Sequence, residues 1–262
     1  MLANRGKMQP LSKKKRFGFL LLSLGFDPRK TARSIRSVSY FLRTYIQFVR
    51  KSDPKVRRTL MLSPMLGEQL EQAGTISDDY FALDLWAAQT TKTLEVSQHL
   101  DVGSRLDGYV AHVLTFSSLD VLDIRDLNSN VRGLNFVKGD GRFLNEIEDN
   151  SYDLVSSLHA IEHFGLGRYG DPIDPLGYLK AVRSFVRVTR NQGHLLLGFP
   201  AGSGEVLFNA QRLLSLEEII SEVPGRVITL IRTVGDGSIQ EITQTFKDHA
   251  CVGILFQISK QS

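Results

Sequence analysis

Cysteine occurs once in the 262 residues, at Cys251, and tryptophan once, at Trp86. One thiol cannot make an internal disulfide, so the fold must rest on a packed core, as expected of a chain kept in a reducing compartment. No stretch reaches the roughly 20 apolar residues that a membrane-spanning helix needs. The nearest approach, Phe17–Phe26 behind Lys13-Lys14-Lys15-Arg16, looks like the opening of a secretory signal. However, Asp27-Pro28-Arg29-Lys30 follows it, with no small-residue cleavage pattern. The protein is therefore expected in the cytoplasm. Acids are scarce at one end only. Residues 1–60 carry 16 Lys and Arg against Asp27 and Asp53, and the remaining residues carry 16 against 26 acids, so a +14 arm is joined to a −10 body. Such an arm favours anionic surfaces. No nucleic-acid motif accompanies the charge, which sets nucleic acid aside as a partner.

Within the arm, Ile35, Val38, Phe41, Leu42, Tyr45, Ile46 and Val49 recur at near-helical spacing among Arg33, Arg36, Arg43 and Arg50. The pattern predicts a basic amphipathic helix over 31–49. Its apolar stripe either packs on the main domain or lies on the inner face of an anionic membrane. The organisation expected is an arm over 1–60, a linker over 61–79 marked by Ser63-Pro64 and Gly74, and a domain over 80–262.

The domain reads as strands alternating with helices. Strands are expected at Leu100–Val102, Asp120–Ile124, Leu134–Val137, Tyr152–Ser157 and His194–Phe199, with helices over 80–93, 109–116 and 179–189. Ser215-Leu216-Glu217-Glu218 fits a capping box opening a further helix, and two late apolar runs, 227–231 and 252–258, close the sheet. Alternation of this kind predicts an α/β, Rossmann-like fold, a mostly parallel seven-stranded sheet with helices on both faces.

Ligands of such sheets bind beyond the carboxyl ends of the strands. The residues there are Asp101-Val102-Gly103-Ser104-Arg105-Leu106-Asp107-Gly108, then Asp123-Ile124, then Gly139-Asp140-Gly141. Gly103 lets backbone pass close to a ligand. Asp123 lies 20 residues further on, the spacing of an acid that grips a ribose, and Asp140 can reach an adenine amino group. After the fourth strand comes His159-Ala160-Ile161-Glu162-His163, which taken alone matches an inverted zinc-protease motif. Its position directly after a strand, with Gly165, Gly167, Gly170, Pro172 and Pro175 cutting any helix short, argues against metal. His159, Glu162 and His163 are instead candidates for a base serving a hydroxyl acceptor. Arg168, Tyr169, Asp171 and Asp174 in the loop beyond suit recognition of a hydroxyl-rich acceptor such as a sugar.

Residues 80–200 resemble class I S-adenosylmethionine-dependent methyltransferases, and are most similar to a poorly characterised bacterial group at 101–105 and at Glu162–Pro172. The resemblance implies S-adenosylmethionine as cofactor. Asp101, Gly103 and Ser104 would face its methionine part, Asp123 with Ile124 the ribose, and Asp140 with Gly141 the adenine. Arg105 and Asp107 stand where most members have glycine, and Gly108 comes one step late. Arg105 either crowds the methionine pocket or pairs with the methionine carboxylate. Methyl transfer is the function implied, and the loop Arg168–Asp174 with the basic arm points it to oxygen of a sugar or glycan-related acceptor. Two alternatives stay open: a non-catalytic binding module of the same fold, motivated by Arg105, and an NAD-dependent enzyme.

Overall fold

The computed structural model describes residues 24–70, 79–234, 237–244 and 249–260. Most of the apolar run 17–26 and the end of the expected linker lie outside them. Two compact units are present, Met1–Thr75 and Ile76–Ser262.

The first unit is built on helix α1 (Pro28–Lys51) and the short α2 (Pro54–Thr59). Asp27 opens α1 by accepting from the Lys30 amide, and Asp53 opens α2 by accepting from the amides of Lys55 and Val56. The Ser34 hydroxyl donates to the Leu66 carbonyl, and Ser37 is buried on the same face. The neighbouring stripe Ile35, Val38, Leu42 and Ile46 is exposed, at 67% for Ile35 and 51% for Leu42. No helix among the described residues is long and apolar enough to cross a membrane.

The second unit is an α/β sheet ordered β3-β2-β1-β4-β5-β10-β8-β9. Strands β1 (His99–Val102), β2 (Leu119–Asp123), β3 (Leu134–Lys138), β4 (Tyr152–Leu158) and β5 (Thr189–Gly202) run parallel. β10 (Ala250–Ile258) is antiparallel to both β5 and β8 (Gly225–Val234). These seven are the strands the sequence predicts. Three short additions were not legible: β6 (Glu205–Leu207), β7 (Gln211–Ser215) and β9 (Ser238–Glu241). β9 is exposed throughout and β6 mostly so, so neither carries a buried apolar period.

Helix α3 (Asp79–Leu94) covers one face. Its seat is a notch made by Gly198 and Gly253, which pair across β5 and β10. A Cβ on Gly198 would fall 2.5 Å from Leu83 Cδ2, and one on Gly253 2.4 Å from the Trp86 ring. On the other face α5 (Gly177–Val188) buries Leu179, Val182, Phe185 and Val188. The helix expected over 109–116 is mostly replaced by a wide turn, Leu106–Val110, followed by the three-residue α4 (Ala111–Val113). Gly108 is the cause: its φ of −119° and ψ of −111° are non-helical. Tyr109, Val110 and Val113 are nevertheless buried, which is the pattern the sequence displayed. The capping box at Ser215 forms, its hydroxyl accepting from the Glu218 amide to open α6 (Leu216–Glu222).

Candidate active site

Strand order reverses between β1 and β4, so their carboxyl ends diverge and leave a crevice. Asp101 ends in that region but faces inward and is fully buried. Its carboxylate accepts from the Ser104 amide at 3.1 Å, the Ser104 hydroxyl at 2.7 Å and the Ser156 hydroxyl at 2.7 Å. Burial raises its pKa to about 6 against the pull of these donors. The Ser104 hydroxyl also receives the Leu158 amide at 2.9 Å. Asp101 and Ser104 thus lock the loop after β1 to the end of β4.

Gly103 is where the chain turns, with φ +75°, and a Cβ there would sit 3.0 Å from the Ala160 Cβ. Gly141 approaches from β3, and a Cβ on it would lie 2.7 Å from Val102 and 3.0 Å from the Phe164 ring. Two backbone segments are thereby brought against one cleft, lined by Gly103, Asp123, Ile124, Asp140, Gly141 and Phe164 among others. Gly108 does not reach it. It is packed against Asp84, whose carboxyl is pushed up to about 6 mainly by burial. Arg105 does not fill the cleft: it pairs with Asp107 at 3.0 Å, and its guanidinium lies 5.3 Å from the Tyr80 ring centre at the rim.

The two acids expected to meet a nucleoside each hold an arginine two residues on. Asp123 Oδ1 accepts the Arg125 amide and Nε, and Oδ2 accepts Nη2 at 2.7 Å. Asp140 accepts the Arg142 amide, Nε and Nη2, and the pairing with Arg142 holds its carboxyl below the ordinary range despite partial burial. A carboxylate has about four acceptor positions. Asp123 keeps one on Oδ2 and Asp140 keeps none. Arg125 also lies over the Tyr169 ring at 4.5 Å, and Arg168 faces the same ring at 5.2 Å. Arg125 and Tyr169 line both this compartment and a broader neighbour of about 650 Å³ that includes Tyr80, Arg105, His159 and His163.

The residues after β4 form a 3₁₀ turn, Ile161–His163, and not an α-helix. His159 precedes it at φ +54°, so the two histidines lack the spacing of a metal pair on one helix face. His159 stacks on Tyr80 at 3.8 Å between ring centres and lies 3.8 Å from the Cys251 sulfur. His163 Nδ1 donates to the Ala210 carbonyl at 2.8 Å. Burial lowers the pKa of His159 to about 3 and of His163 to about 4, so both are neutral at physiological pH. Glu162 is 1% exposed, and its Oε2 has no hydrogen-bond partner among the described residues. Burial moves its pKa up to about 8.

The loop carboxylates are spent on backbone. Asp171 accepts the amides of Gly165 and Tyr169, and Asp174 accepts the Leu176 amide and Lys180 Nζ at 2.7 Å. Buried Arg212 donates to the carbonyls of Phe164, Asp174 and Pro175 and fixes the same loop from β7. Of the acceptor-facing set, Arg168, Tyr169 and Asp171 border the cleft and Asp174 does not. Sequence reasoning missed Tyr80, Arg125, Arg142, Arg212 and Cys251. The repeated Asp-x-Arg at 123–125 and 140–142 was the available signal for two of them.

Comparison with known proteins fits this geometry. Residues 99–218 match a family described as Caenorhabditis protein of unknown function, DUF268. No curated protein matches in sequence. Among solved structures, the 1,6-didemethyltoxoflavin-N1-methyltransferase of Burkholderia thailandensis superposes with TM-score 0.52 at 12% identity, over 70% of this chain and 80% of that one. The chain has the class I methyltransferase fold. N-methyltransferase NodS of Bradyrhizobium japonicum is similar at TM-score 0.49 and 12% identity, covering 74% and 92% of the two chains. The [4+2]-cyclase SpnF is similar at 0.48 and 9%, covering 67% and 81%. A fold by itself does not fix chemistry, which has to be argued from the site.

Proposed function

We propose that the protein transfers a methyl group from S-adenosylmethionine to oxygen of a small acceptor. The observation that carries this reading is the pair Gly103 and Gly141, which bring backbone against a cleft bordered by Asp123, Ile124 and Asp140. A nucleoside fits such a cradle: Asp123 offers its open Oδ2 position to a ribose hydroxyl, and Ile124 gives an apolar wall. Asp140, filled by Arg142, shapes the adenine end without accepting from it. The donor supplies an activated methyl on a sulfonium, so the chain's task is alignment and removal of a proton. Arg105 is turned to Asp107, which supports a working donor site over a non-catalytic module.

A dinucleotide is less well served. Its diphosphate wants a helix N-terminus, and the loop after β1 leads into a wide turn and three residues of helix. β10 is also antiparallel, unlike the all-parallel sheet of the dinucleotide fold. The sugar or glycan-related acceptor suggested by the loop Arg168–Asp174 and the basic arm belongs to the hydroxyl class argued below. Calorimetry with S-adenosylhomocysteine, S-adenosylmethionine and NAD tests the proposal. The two sulfur nucleosides bind and NAD does not, and Gly141→Val weakens them by roughly tenfold or more, about 1.4 kcal/mol. Binding of NAD alone would overturn it.

The first unit has a separate proposed role, seating the protein on an anionic membrane surface at the inner face. α1 holds seven Lys and Arg and no acid, beside the exposed stripe Ile35, Val38, Leu42 and Ile46.

A further inference from the structure

Beside the donor cleft is a further cavity of about 240 Å³, lined by Asp79, Tyr80, His159, Glu162, Gln211 and Cys251 among others. It is assembled from the start of α3, the turn after β4, β7 and the start of β10, parts of the chain that no local motif links. Tyr80 and His159 line this cavity and the broader donor compartment alike, so the two spaces meet at their stacked rings. Glu162 lines this cavity and neither of the other two compartments, and its buried Oε2 has no hydrogen-bond partner among the described residues. Leaving a buried carboxyl oxygen unpaired costs free energy unless a ligand satisfies it.

We infer that this cavity is the acceptor site, that it takes one hydroxyl-bearing ring, and that Glu162 is the base which receives the hydroxyl proton. This rests on the methyl-transfer reading above. At about 240 Å³ the cavity has less than half the volume of the broader compartment of about 650 Å³, which suits an acceptor of one ring. The wall of Tyr80 and His159 gives the ring a flat surface to lie on, and Leu213, Ala201 and Pro200 complete an apolar side. In the reaction the acceptor oxygen bonds to the methyl carbon as the carbon–sulfur bond breaks. The electron pair of that bond stays on sulfur, which leaves as a neutral thioether, and the acceptor proton passes to the Glu162 carboxylate. The two histidines serve less well. His163 does not line the cavity, and His159 is held by its stack on Tyr80 and by Cys251.

Groups facing Glu162 set how it titrates. They are Asp79 and Tyr80 from α3, His159, His163 and Arg168 on its own side, and Cys251 and His249 around β10. Arg168 favours the carboxylate, and burial opposes it more strongly, so the ionised fraction grows as pH rises through about 8.

The test uses phenol and myo-inositol as probes of aromatic and saturated rings, titrated into the full chain with and without S-adenosylhomocysteine. At least one binds wild type, and Ala250→Leu, which fills the cavity, removes that binding while S-adenosylhomocysteine still binds. With radiolabelled S-adenosylmethionine and the bound probe, ether formation rises as pH passes through about 8. Glu162→Gln retains probe binding, lowers the rate by roughly a hundredfold or more, and flattens the pH limb, and Glu162→Asp restores part of the limb. Binding of neither probe, binding indifferent to Ala250→Leu, or an unchanged rate in Glu162→Gln would overturn the inference. Probe binding without S-adenosylhomocysteine binding would instead sink the methyl-transfer reading and leave the cavity as a ligand site.

Discussion

Arg125 is the side chain on which access to the cleft turns. Asp123 grips it through both carboxylate oxygens, and it lies over Tyr169, so one residue ties the end of β2 to the loop after β4. A ribose and Arg125 would compete for Asp123, since only one acceptor position on that carboxylate is open. Removing the guanidinium frees two more. Arg125→Ala is expected to tighten S-adenosylhomocysteine several-fold by calorimetry, with the gain lost when Asp123→Asn is added. Weaker binding in Arg125→Ala would make Arg125 a ligand and not a competitor. Arg105 drew attention in the sequence by its bulk, but bulk was the wrong criterion. Its neighbour Asp107 takes the charge outward, and that pairing is visible only once the turn after β1 is folded.

At the level of elements, α1 and α3 show how similar helical patterns reach different ends. α3 is apolar nearly all round and is held in the notch of Gly198 and Gly253. α1 keeps its apolar stripe exposed between cations. The full chain is expected to sediment with vesicles of phosphatidylserine and phosphatidylcholine and not with phosphatidylcholine alone, less so as salt screens the charges. Leu42→Glu with Ile46→Glu should abolish sedimentation, because it replaces buried apolar area with repelled charge. Equal sedimentation of wild type with neutral and anionic vesicles, or undiminished sedimentation of the double variant with anionic ones, would refute the membrane role.

Across the whole molecule, buried titratable groups set an optimum of stability. Glu162, held neutral to about 8, is already ionised in the unfolded chain above 4.5, so folding binds a proton in that window and stability falls as pH rises through it. His99 and His159, lowered to about 3, and His163, lowered to about 4, act in the opposite sense. Unfolded histidine takes up a proton below about 6.5, so stability is lost as pH falls from there. Asp84 and Asp101, raised to about 6, offset part of that acid loss. The melting temperature is expected to peak near pH 6.5 and to fall toward about 8.5, and the alkaline fall should shrink in Glu162→Gln. A wild-type melting temperature that climbs from about pH 6.5 to 8.5 would contradict the burial of an ionisable Glu162.

The sequence by itself determined the parallel strands, the closing apolar pair and the glycine turn after β1, because apolar period and turn chemistry are local properties. It also marked Gly103, Asp123, Gly141 and the run His159–His163 as lying at strand ends. Which of those side chains face the cleft was decided only by the tertiary structure. Asp101 turns to Ser104 and to Ser156 of β4, Asp174 to the Leu176 amide and Lys180, and Gly108 packs on Asp84. The small cavity was not legible, since Tyr80, Glu162, Gln211 and Cys251 are far apart in the chain and meet only when α3 settles on β5 and β10. Periodicity reports which face of an element is buried, and pairing between distant elements reports what that face touches.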